Sequence, residues 1–332
     1  MRTFGIFLGA LLLSACGSSQ GVAPPDAGGD TGTQAVSGQW IWESNVPAIG
    51  QLNAVGASSA NDVWAGGDSG RMLHWNGTSW SVADAGTISH IQAIWGASAS
   101  DVWAAAGGIG GAGAANLVHW NGQAWSAVDP GTSMNLHGIW GSAANDVYAS
   151  GASGVAGTIL HFDGTSWSSL YDGADTSPQA VSGSSASDVW VVGGDFAPSG
   201  TQFILHGPAS GFSPVTSSAT QYLSSVYAGA PNDAWAQGAG GLFHWNGQTW
   251  SPTPTALPLG EGTVWGLGPS AVFAVGGDQR IAAWDGKSWT LVHGVPAGAP
   301  LYAVGGRDAT QLWAVGDDDA ILRFDTTVSG TP

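Results

Sequence analysis

The chain has 332 residues and a formal net charge of −17, with six basic residues against 23 acidic ones. That balance excludes nucleic acid as a partner, because phosphate contacts need Lys and Arg, and a single cysteine excludes an intrachain disulfide. Fifty-four glycines and 19 tryptophans, with only 9% charged residues, describe tight turns joining short aromatic strands, an all-β composition.

The first 15 residues read as a signal peptide: Arg2, then an apolar run from Phe4 to Leu13 too short to span a bilayer as a helix. Leu13-Ser14-Ala15-Cys16 resembles the lipobox of bacterial lipoproteins, which makes Cys16 the expected lipid attachment site. Two or more acyl chains hold a protein at a membrane without a spanning segment. Gly17 follows the cysteine, where an Asp would mark inner-membrane retention, so the expected place is the outer membrane of a bacterial cell envelope, reached through the lipid anchor only. Residues 16–37 carry Gly, Ser, Pro and Asp with almost no bulky apolar side chain, the composition of a flexible tether. Residues 38–332 are the expected folded domain.

From Leu52 onward one unit recurs seven times. Its landmark is an Asp, or a substitute, at Asp62, Asp101, Asp146, Asp188, Asp233, Ala271 and Gln311, at intervals of 39, 45, 42, 45, 38 and 40 residues. That spacing encodes one four-stranded propeller blade per repeat. Seven residues before the landmark stands a β-branched side chain (Val55, Ile94, Ile139, Val181, Val226, Val264, Val304), preceded in every copy by a small one or Thr. This alternation suits the crowded innermost strand, strand A. Two residues past the landmark an aromatic marks strand B and an inter-blade core: Trp64, Trp103, Tyr148, Trp190, Trp235, Phe273 and Trp313. Strand C carries Leu73-His74-Trp75 and its counterparts. The pairs Asn76-Gly77, Asn121-Gly122, Asp163-Gly164, Asn246-Gly247 and Asp285-Gly286 then predict tight hairpins in which both residues take positive φ. Strand D follows with Trp80, Trp125, Trp167, Phe212, Trp250 and Trp289. The seventh copy stops at Phe324-Asp325, and Gly38-Gln39-Trp40-Ile41-Trp42 looks like its missing strand D. The expected fold is an all-β, seven-bladed propeller of four-stranded blades, closed by the N-terminal strand in the last blade.

The run Asp-Val-Trp-Ala, a variable gap, and aliphatic-x-Trp-Asn-Gly-x-x-Trp resembles a tectonin repeat, and Val192-Gly193-Gly194 and Val275-Gly276-Gly277 resemble the kelch double glycine. The resemblance covers residues 38–325 and is specific for the fold. Because tectonin-like propellers are often lectins, it implies carbohydrate binding as one expectation.

Catalytic residues are not evident. Glycoside hydrolysis needs two carboxyl groups converging on one bond, and the only glutamates, Glu43 and Glu261, belong to outer and inner strands. Arg71, Arg280, Arg307 and Arg323 are the side chains able to hold a carboxylated sugar. His74, His119, His161, His206 and His244 share one strand C position, but packed sheets lie about 10 Å apart, too far for adjacent blades to share a zinc ion held by bonds near 2 Å. Each is expected to form a hydrogen bond within its own blade.

Binding is expected on the face formed by the B–C and D–A loops, which vary in length and chemistry, while the A–B and C–D turns repeat. Two groups stand out there. Nine residues before the landmark lie Asn53, Gln92, His137, Gln179, Ser224, Gly262 and Tyr302, a candidate polar ring at the channel mouth. The B–C loops of blades 6, 7 and 1 carry Asp278, Asp317, Asp318, Asp319 and Asp68, an acidic patch able to dock a basic partner or, as the one ion it raises, Ca²⁺. No cofactor is expected otherwise. The favoured function is a non-catalytic envelope lipoprotein recognising a protein or glycan; the alternative is a propeller glycoside hydrolase or lyase acting at the same face.

Overall fold

In the computed structural model each repeat becomes one antiparallel four-stranded sheet, seven in all. The structure describes residues 11–14, 33–36, 39–108, 116–195, 202–218, 221–253, 259, 262–276, 280–294, 300–308 and 311–325. Blade 1 runs Leu52–Ser59, Asp62–Gly67, Arg71–Trp75 and Trp80–Asp84 as strands A to D. In blade 7, Leu301–Gly306, Leu312–Gly316 and Ile321–Asp325 are completed by Gln39–Trp42, with Trp40 opposite Phe324. The N-terminal strand thus closes the last blade as expected. Strand A of every blade contacts strand A of the next, blade 7 to blade 1 included, so the ring is complete.

What joins the blades is one aromatic motif repeated at every seam. The strand B aromatic, at most 4% exposed in all seven copies, meets the strand D aromatic of the following blade edge to face. Trp64 meets Trp125 at 5.1 Å and 89°, Trp190 meets Trp250 at 5.2 Å and 89°, and Trp313 meets Trp80 at 5.2 Å and 87°. At the closing blade Phe273 meets Trp40 at 6.2 Å and 79°, so the N-terminal strand enters the same packing rule. Edge-to-face geometry places the positive ring edge on the negative face and contributes about 0.5–1.5 kcal/mol per pair beyond area burial.

On its other side the strand B ring of blades 1 to 5 carries the histidine of its own blade: Trp64 stacks on His74 at 4.0 Å and Trp190 on His206 at 3.9 Å. Those histidines are held by the landmark aspartates, Nε2 to Oδ1, at 2.6 Å for His74–Asp62 and 2.7 Å for His119–Asp101, His161–Asp146, His206–Asp188 and His244–Asp233. The hydrogen bond expected within each blade is therefore present, and the landmark Asp exists to make it. Ser58, Ser142 and Ser184 donate to the second carboxylate oxygen in blades 1, 3 and 4. Where the landmark is lost, the histidine is lost with it. Blade 6 has Ala271 and Ala283; blade 7 has Gln311 and Arg323, whose Nε pairs with Glu43 at 2.7 Å while its guanidinium lies over Trp313.

The C–D hairpins correct one expectation. Only the glycine takes positive φ, +94° at Gly77 and +90° to +91° at Gly122, Gly164, Gly247 and Gly286. Trp75 pairs with Trp80, so the loop has four residues, Asn76 to Ser79. Asn76 Oδ1 accepts the N–H groups of Thr78 and Ser79, both at 3.0 Å. Asp163 and Asp285 do the same with their loops, which holds both carboxyls below the usual range. Asn and Asp alternate because an acceptor oxygen is required, not a left-handed backbone. Glycine follows because a Cβ at position 77 would lie 2.5 Å from Asn61 Oδ1 in the A–B turn. The two sets of repeated turns are thereby packed together on one face.

Upstream of the ring, Leu11–Ser14 pairs with Thr33–Val36 in a separate two-stranded sheet. The segment read as signal peptide and tether carries that pairing; Cys16 lies outside the described residues.

Candidate functional site: the channel mouth on the variable face

Strand A enters each blade from the variable face, and six of the seven strands are bulged at their first residues. The register slips between Leu52 and Ala54, Ile91 and Ala93, Leu136 and Gly138, Pro178 and Ala180, Leu223 and Ser225, and Leu301 and Ala303. The extra residue in each case is Asn53, Gln92, His137, Gln179, Ser224 or Tyr302. A bulge re-aims one side chain without ending the strand, so six of the seven ring candidates share one distortion and Gly262 lacks it. All seven are half-buried.

The ring is not uniform. Ser224 Oγ is turned to backbone carbonyls, Gln237 and Gly262, each at 3.2 Å, and Gln179 Nε2 donates to Ser177 Oγ at 2.8 Å. Burial holds the His137 imidazole below its ordinary value, and its Nδ1 has no partner. On the blade 7 and blade 1 side, Gln51 Nε2 donates to Asn53 Oδ1 at 2.7 Å and Asn53 Nδ2 to Asp68 Oδ1 at 3.1 Å. The Tyr302 phenol is pushed up by burial and then by the charges of Asp317 and Asp68. At the seam the polar ring meets the acidic patch, separate from it in the sequence, through Asn53 and Asp68.

The acidic residues divide by role. Asp319 Oδ1 accepts the N–H groups of Ile49 and Gly50 at 2.6 Å each, and Arg71 Nη1 donates to Ile49 O at 3.0 Å. Asp319 therefore latches the connection from blade 7 to blade 1 and is spent on ring closure. Asp318 is exposed and Asp317 half-buried, with Asp317 Oδ1 accepting the Asp318 N–H at 3.0 Å. Asp278 and Glu261 lie outside the described residues. Among the described residues, no three His, Cys, Asp or Glu side chains gather closely enough to hold a metal ion.

One residue escaped the sequence reading. His90 Nδ1 lies 2.7 Å from Asp68 Oδ1, across the boundary between blades 1 and 2, with both side chains partly exposed. The position six after the landmark abuts the position eleven before the next: a Cβ on Gly107 would lie 2.7 Å from Asn135 Cβ, and one on Gly194 2.8 Å from Tyr222 Cβ. Only in blade 1 does that position carry an acid facing a histidine. Gly108, at φ +93°, keeps the imidazole edge free, since a Cβ there would lie 2.9 Å from Cδ2.

No protein-family model matches the chain, and no curated protein matches it. Solved structures do. YCF48 bound to D1 peptide is similar at a TM-score of 0.66 and 15% identity, over 86% of this chain and 96% of that one. A catalytically inactive virginiamycin B lyase from Staphylococcus aureus with quinupristin is similar at 0.69 and 12%, over 87% and 99%. The WD40 propeller domain of Doa1 is similar at 0.66 and 12%, over 87% and 97%. At these identities the likeness shows the β-propeller fold, which serves binding proteins and a lyase alike.

Proposed function

We propose that the protein is a recognition module, held at the outer membrane through lipid on Cys16, whose propeller binds a protein or glycan at the variable-face channel mouth. The observation that carries this reading is the set of six bulges aiming hydrogen-bonding side chains at one rim. A bulge re-aims the side chain of its extra residue, and polar side chains gathered around a concave mouth suit a ligand. A solved propeller with a bound peptide supports a protein ligand. The test is a glycan array run beside a cross-linking pull-down from native envelope, using wild type and the triple variant Gln92→Ala, His137→Ala, Tyr302→Ala. Loss of a saturable ligand in that variant, with retention in the opposite-face variant Thr78→Ala, is expected; equal binding by all three would place the site elsewhere.

A hydrolase or lyase at the same face is the second reading, favoured by the His90–Asp68 pair, which sets a carboxylate oxygen 2.7 Å from an imidazole nitrogen, since an imidazole beside a carboxylate is a side chain able to act as a general base. A ligand recovered unchanged after prolonged incubation with wild type distinguishes binding from turnover.

A further inference from the structure

Among the described residues five large apolar side chains are left exposed; Ile88 and Val155 stand in loops, and the three on outer strands fall in one sector. Trp42, Val82 and Leu291 are 42%, 60% and 46% exposed, and each stands two residues past the strand D aromatic of its blade, in blades 7, 1 and 6. The other four blades carry Ala127, Ser169, Pro214 and Pro252 at that position. Three consecutive blades thus depart from the repeat in one direction, and the departure has no packing reason inside the ring.

The same three blades hold every cation of the domain. Arg71, Arg280, Lys287, Arg307 and Arg323 are its only basic residues, and residues 86–279 contain none. Lys287, in the C–D loop that leads into the strand of Leu291, is exposed, as is Arg307 in the A–B turn of blade 7. The middle of these blades is also where the chain joins the ring from its N-terminal side, at Gln39, three residues before Trp42.

We infer that the outer rim of blades 6, 7 and 1 rests on the bilayer in which Cys16 is anchored; this rests on the lipid-anchor reading above. A bilayer interface accepts a Trp ring, aliphatic side chains beside it and Lys or Arg against lipid phosphate. Twenty-two residues separate Cys16 from Gln39, so the anchor alone fixes no orientation, and the rim supplies it. The variable face then stands upright beside the membrane, open to a ligand from the side.

Full-length protein carrying its native N-terminal segment is reconstituted into phosphatidylethanolamine–phosphatidylglycerol vesicles after intact mass has established the acyl modification. With Cys16 acylated, Val82→Cys and Leu291→Cys each introduce a unique thiol for a nitroxide, and Ala127→Cys and Ser169→Cys report the opposite side. On vesicles, the ratio of oxygen to nickel-chelate accessibility should rise severalfold at 82 and 291 and stay unchanged at 127 and 169. As an independent readout, brominated lipids should quench part of the tryptophan emission of wild type and none of that part in Trp42→Ser. Equal aqueous accessibility at all four positions in acylated protein overturns the docking and leaves the anchor standing. Unmodified Cys16 overturns the anchor and the docking together. Protection at 82 and 291 that appears only with added envelope protein assigns the rim to a protein partner and overturns it too.

Discussion

Asp188 shows how one side chain serves both packing and charge. Burial raises its pKa, but hydrogen bonds from His206 and Ser184, with the His206 charge, outweigh burial and hold the carboxyl below its ordinary value of 3.8. A depressed folded pKa contributes stability that is complete above the unfolded value and is lost as pH falls through the folded one. The melting temperature should therefore fall on acidification below about pH 4, and Asp188→Asn should flatten that limb. His137 acts in a different window: burial lowers its pKa from 6.5, so its neutral form stabilises the fold above that value and the contribution is lost as pH falls below it. A melting series from neutral to mildly acidic pH, steeper for wild type than for His137→Asn, checks this. Blade 2 offers a complementary gain, since Ala97 stands where Ser58, Ser142 and Ser184 donate to their landmark aspartates. Ala97→Ser should raise urea-unfolding stability by about 1 kcal/mol, the net value of a satisfied hydrogen bond.

At the scale of the strand and turn, glycines separate conformational from steric need. Gly77 and Gly131 both have positive φ, +94° and +78°, but a Cβ strikes Asn61 in the first case and meets nothing within 4 Å in the second. Gly131→Ala should cost about 1–2 kcal/mol from the left-handed backbone alone. Gly77→Ala should cost clearly more, because the A–B turn must also shift; equal urea midpoints for the two variants would refute the packed-turn account. Asn-Gly and Asp-Gly locate the hairpins in the sequence but do not fix their conformation, since only the glycine takes positive φ. Those dipeptides signal two different loops, and the choice lies in the side-chain oxygen that captures two N–H groups within a four-residue loop.

For the whole molecule, closure is the test of the architecture. Removing residues 39–45 deletes the strand paired with Ile321–Asp325 and the Trp40 edge contact with Phe273, so cooperative unfolding should be lost or replaced by aggregation through the bared edge. Asp319→Ala removes two hydrogen bonds from the closing connection and should cost about 2 kcal/mol, with Asp319→Asn recovering part of it, as read by thermal melting. The blade count, the aromatic seams, the closing strand and the within-blade role of the five histidines were all legible in the sequence, because each is a local pattern written once per repeat. The bulges that aim the mouth ring, the Asp68–His90 pair, the Asp319 latch and the apolar rim were not. The pair and the latch join residues 22 and 270 positions apart, the rim depends on which strand faces solvent, and each bulge is a matter of backbone register within one hairpin that residue type does not announce; a repeat period specifies how a blade folds without stating what one blade presents to the next. Only the closed ring sets those contacts, since it alone brings blades 7, 1 and 2 together around one mouth.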